Sequence, residues 1–82
     1  MAQVELQYKV QWQWNDDYWS TWSDYTPIQT EVIERAWQNE QATVLIVADD
    51  EPKWIINLVS MRQKPLDGDT MRSVRRVLIT HA

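Results

Sequence analysis

The 82-residue chain contains no cysteine, a single glycine and a single histidine. Without cysteine it can hold neither a disulfide nor a thiolate metal site, and in so small a domain that argues for an intracellular origin, cytoplasmic or nuclear. The one histidine, His81, sits next to the last residue, a poor place to hold a general base. One glycine cannot make a phosphate-cradling loop, and the serines have no internal histidine to activate them. These absences argue against an enzyme and against any cofactor. No apolar run approaches the roughly 20 residues that span a bilayer, and the start, MAQVELQYKV, lacks the charged head and apolar run of a secretion signal. The expectation is one small soluble domain over residues 1–82, with no membrane role and compatible with excision from a longer protein.

What the chain has is aromatic surface. Four of its six tryptophans and two of its three tyrosines fall in Val10 to Tyr25, VQWQWNDDYWSTWSDY. A domain of this size buries area with difficulty, and large aromatic side chains supply it. The formal net charge of -4 disfavours a general nucleic-acid binder. Its distribution is uneven: residues 1–52 carry ten acids against Lys9 and Arg35, whereas residues 53–82 carry six bases against Asp67 and Asp69. A bound anion would be met mainly by side chains of the second half.

From Tyr8 to Trp14 apolar and polar residues alternate, which predicts a half-buried strand. Asn15-Asp16-Asp17 reads as a turn and Trp19 to Asp24 as the returning arm of a hairpin. Thr26-Pro27-Ile28-Gln29 predicts a helix start, and Ile28, Val32, Ile33, Ala36 and Trp37 repeat at helical spacing to an end near Asn39. The unbroken run Thr43 to Ala48 predicts a strand covered on both faces. A turn at Asp49 to Pro52 leads to a strand over Trp54 to Val59, with a short extension at Met61 to Gln63. A loop at Pro65 to Asp69 precedes a last strand, Met71 to Ile79. This order suggests an α+β fold with an antiparallel sheet.

Asp16-Asp17 and Asp49-Asp50-Glu51 could in principle offer oxygen ligands to calcium, but both fall in turns and neither has the spacing of an EF-hand, so no metal site is assigned. The combination with chemical interest is the aromatics of the first strand and Trp54 with Gln63 and the arginines Arg72, Arg75 and Arg76. A guanidinium grips phosphate through paired hydrogen bonds, and an aromatic wall accepts a base by stacking. The same residues also fit a tryptophan core with arginines in solvent. Of Arg75 and Arg76, at most one can face a given pocket, because neighbours on a strand point to opposite faces.

Several blocks in order resemble a WWE domain: Trp12-Gln13-Trp14, Trp22-Ser23-Asp24-Tyr25, Ile33-Glu34-Arg35-Ala36, Trp54-Ile55-Ile56-Asn57-Leu58, Met61-Arg62-Gln63 and Arg72-Ser73-Val74-Arg75-Arg76. The resemblance, over residues 8–78, implies a strongly curved antiparallel sheet of about six strands, a half-barrel, with one α-helix packed against it. It further implies a non-enzymatic module of ubiquitin ligases and ADP-ribosyltransferase-family proteins. Such a module recognises the iso-ADP-ribose unit of poly(ADP-ribose) and links its host to ADP-ribosylated proteins. Carried over by position, the ligand-binding residues are Trp14, Trp54, Gln63 and Arg72. The name-giving Trp12, Trp22 and Glu34 fall to structure, with Trp37 and Tyr25 beside them. The alternative is a protein-protein interaction domain of the same fold without a nucleotide pocket, anchored by Tyr18 and Trp19 on the first turn. Single-stranded nucleic acid is disfavoured by the aspartates among the first-hairpin aromatics.

Overall fold

The computed structural model describes the backbone of residues 7–16 and 21–81 and the side chains of 8–15 and 21–80. Tyr18 and Trp19, the anchors of the interaction reading, lie outside the described residues. The elements are β1 (Gln7–Asp16), β2 (Thr21–Asp24), α1 (Pro27–Gln38), β3 (Thr43–Ala48), β4 (Glu51–Asn57), β5 (Arg62–Pro65) and β6 (Arg72–His81). The strands form one antiparallel sheet in the order β2-β1-β6-β5-β4-β3. It curls into a half-barrel, and α1 packs against β1 and β3 across its open side. The helix is neither long nor apolar enough to cross a membrane.

Alternation in β1 sends Val10, Trp12 and Trp14 to the concave side, where Trp12 is fully buried. It meets Ile33 from the helix, Ile46 from β3 and Ile56 from β4, all within 1% of complete burial. Tyr25, Ala36, Leu58 and Val74 complete the core.

Local chemistry fixes the joints. Thr26 caps α1 reciprocally with Gln29: its Oγ1 accepts the Gln29 N–H at 3.1 Å, and Gln29 Oε1 accepts the Thr26 N–H at 3.1 Å. At the other end Glu40 takes a left-handed φ of 56°. There the Glu40 N–H bonds the Trp37 carbonyl at 3.1 Å, and the Gln41 N–H reaches the Ala36 carbonyl at 3.0 Å, a Schellman closure. Asp49 and Asp50, with φ of 54° and 62°, are the two central residues of a tight β3–β4 hairpin, which explains the acidic pair there. Opposite Ile46 and Val47 the register skips Lys53, a bulge that bends β4 just before Trp54.

Several expectations need correction. Trp37 is not core: it is 40% exposed and touches Trp12 edge-on at 5.7 Å. The helix buries Thr30, Ile33 and Ala36, leaving Ile28 and Val32 exposed, because Thr30 is drawn inward by a hydrogen bond from Gln11. The run in β3 is covered on one face only, since the core and α1 lie on one side of the sheet, and Leu45 and Val47 point away from them. Finally, β4 spans Glu51–Asn57 and Leu58 begins a turn, because the Asn57 side chain accepts the N–H groups of Val59 and Ser60 at 2.9 and 3.0 Å. The short extension is β5 itself. It runs through Pro65, which was expected in a loop, and Met61 serves as a left-handed corner with φ of 56°.

Candidate functional site

The curl of the sheet gathers residues far apart in sequence into one cavity of about 290 Å³. Trp14 comes from β1, Trp54 from β4, Gln63 and Pro65 from β5, and Arg72 from the start of β6. Tyr25, Gln29 and Thr70 complete the wall. Pairing explains the convergence: Trp54 lies opposite Pro65, Gln63 lies opposite both Ile56 and Arg72, and Trp14 lies opposite Val74. Side chains across an antiparallel pair share a face, so each lands on the concave side. All four site residues expected from the sequence therefore line one space.

Arg72 is placed with its guanidinium carbon 5.0 Å from the centre of the Trp14 ring, a cation–π geometry that holds a fixed positive charge at the aromatic wall. Gln63 is nearly fully buried, and its carbonyl oxygen accepts a hydrogen bond from the Tyr25 hydroxyl. Burial pushes the Tyr25 phenol well above its ordinary range, so it stays a neutral O–H donor. With one lone pair of its oxygen taken by Tyr25, the orientation of the Gln63 amide is set and its NH2 group is the donor it presents to a guest. Tyr25, expected as scaffold, thus orients a site residue. Its sequence signal was weak: an aromatic with a polar tip, which seeks a partner when buried.

Glu34 does no chemistry at the cavity; it ties helix to sheet. One carboxylate oxygen accepts from Trp12 Nε1 at 3.0 Å and Arg76 Nε at 2.8 Å. The other accepts from Arg76 Nη2 at 2.8 Å and Gln38 Nε2 at 2.7 Å. Hydrogen bonding from the Arg76 guanidinium, opposed by partial burial and reinforced by Gln38 and Trp12, holds the carboxyl down at about 2. The paired Arg76 is raised by the same bonds. Arg75, on the opposite face, lies 4.1 Å above the half-buried Trp22 ring and donates from Nε to Gln13 Oε1 at 2.8 Å. The division of Arg75 from Arg76 follows the strand alternation.

Two larger concavities lie elsewhere, one between β1 and α1 and one at the end of the helix around Trp37 and Val59. Neither contains the aromatic and arginine set.

No curated protein matches the chain. The family model for the WWE domain matches residues 10–76, from the middle of β1 to the arginine that Glu34 holds. That match covers most of the sequence, and the chain belongs to the WWE domain family, a family of protein-interaction and ADP-ribose-binding modules.

Proposed function

We propose that the chain, residues 1–82 acting as one non-enzymatic module, reads the iso-ADP-ribose unit of poly(ADP-ribose) or a related ADP-ribose end. It thereby links a larger ubiquitin-ligase or ADP-ribosyltransferase-family protein to ADP-ribosylated targets. The observation that carries this reading is the convergence of Trp14, Trp54, Gln63 and Arg72 on one concave cavity. Its volume, about 290 Å³, is at the small end for ligand pockets, which suits a nucleoside portion inside with the diphosphate at the mouth. The adenine stacks on the tryptophan walls, the Gln63 NH2 donates to a ring nitrogen, and Arg72 pairs with phosphate.

Calorimetric titration with iso-ADP-ribose tests it. A saturable response is expected, together with weaker binding as salt rises. Arg72→Ala removes a charge-assisted contact and should weaken binding by about 10- to 100-fold. No response at millimolar ligand would overturn the reading and leave the family's protein-interaction role.

A further inference from the structure

On its outer flank β1 is paired by β2 only over Gln13–Asp16. The Tyr25 N–H bonds the Trp12 carbonyl at 3.0 Å, so the backbone groups of Trp12 point toward the β2 side. In an antiparallel strand this direction alternates, which turns the N–H and C=O of Val10 and Tyr8 to the same side and those of Gln11 toward β6. Beyond Tyr25, no described strand continues along that side. Tyr8 and Val10 therefore present two donors and two acceptors on an open edge.

At Val10 that edge does not face plain solvent, whereas Tyr8, just beyond, is exposed. Helix α1 runs beside the edge, and Pro27, Thr30, Glu34 and Gln38, one face at helical spacing, form the opposite wall of a slot of about 500 Å³. Gln11 closes one end, its Nε2 donating to the Trp12 carbonyl at 2.9 Å and to Tyr25 O and Thr30 Oγ1 at 3.1 Å each. Charges along the slot are mostly spent: Glu31 pairs with Arg35 at 3.1 Å, and Glu34 pairs with Arg76 at 2.8 Å. Lys9 is exposed at the rim and has no carboxylate within ion-pairing distance among the described residues.

We propose that this slot binds an extended peptide segment of a partner protein, added as a strand beside Tyr8 and Val10, with an acidic side chain toward Lys9. Open backbone groups in a row are matched by another backbone in the extended state, and a flanking helix supplies the second wall, as in strand addition generally. The edge from Gln7 to Gln11 is about 17 Å long, enough for about five peptide residues. A second copy is a poorer occupant, because its own β1 edge is walled by its own α1. The proposal does not depend on the ADP-ribose reading, and its site shares no lining residue with the Trp14 cavity.

The test is an amide NMR titration with a pool of end-blocked hexapeptides, glutamate fixed at the third position and valine, isoleucine or threonine at the others. The expected result is shift changes and slowed hydrogen exchange at the Tyr8 and Val10 amides and shifts along Thr30 to Gln38, retained in Arg72→Ala. Lys9→Glu should weaken binding by about fivefold, and a pool with lysine in place of glutamate should restore it in that variant. Pools N-methylated at alternate positions should lose the effect. Undisturbed Tyr8 and Val10 amides at millimolar pool, or equal binding by the N-methylated pool, overturns the proposal. Protection of those amides that grows with protein concentration and no peptide assigns the slot to a second copy and overturns it too.

Discussion

Replacing Glu34 by glutamine changes one oxygen into an NH2 group and leaves the outline of the side chain intact. The remaining oxygen can still accept from Trp12 and Arg76 Nε, but the new NH2 meets Arg76 Nη2 and Gln38 Nε2, both donors. The carboxyl falls from an ordinary 4.5 to about 2 in the folded protein. Taken at face value that is about 3 kcal/mol of folding free energy. Water reaches the rim of the pair, whose side chains are 24% and 20% exposed, and its screening lowers the expected loss to about 2 kcal/mol. Because the folded value is the depressed one, this stabilisation is complete above the unfolded value and drains away as pH falls from about 4.5 toward 2. Urea unfolding followed by far-ultraviolet circular dichroism, on the wild type and Glu34→Gln, measures the gap at each pH. About 2 kcal/mol at pH 7 should shrink toward zero at pH 2. A gap that is the same at both ends of the range would refute the charge argument, and a gap under about 0.5 kcal/mol at pH 7 would show that the tie is only decorative.

Three other outcomes follow from particular geometries. Tyr25→Phe leaves the buried Gln63 oxygen without its donor, which should cost about 1–3 kcal/mol in urea unfolding; it also frees the amide to turn, weakening iso-ADP-ribose binding in calorimetry. Glu40→Gly removes a left-handed side chain and a negative charge from the end of α1, and should raise stability by about 1 kcal/mol, read as a higher urea midpoint with unchanged slope. Ile56→Ala opens a hole among Trp12, Ile33 and Ile46, and should cost about 2–5 kcal/mol in the same assay.

What could be read in the sequence was local. The alternation around Trp12, the Thr26-Pro27 start and the acidic β3–β4 turn each depend on neighbours a few residues away, and each is found in place. The rotation of the helix was not legible, because Thr30 is turned inward by Gln11, 19 positions earlier. Nor was Tyr25's second task, which depends on Gln63, 38 positions later. The run in β3 misled for a related reason: unbroken apolar residues suggest two covered faces, but which face of the sheet the helix covers is a property of the whole fold. For the cavity, residue types suggested only that first-strand aromatics, Trp54, Gln63 and the β6 arginines belong together, and the family resemblance singled out Trp14 and Arg72 among them. What periodicity could not supply was the curl that makes them neighbours.

The arginines of β6 have one more effect. Arg72 lies over Trp14 on the inner face, Arg75 over Trp22 on the outer, and Arg76 lies 6.0 Å from the centre of Trp37. Three of the six tryptophans are thus capped by guanidinium groups from a single strand. On the outer face the Trp22 ring, open to adhesion by another molecule, carries the exposed Arg75 cation instead, while on the inner face the same strand furnishes Arg72 to the cavity.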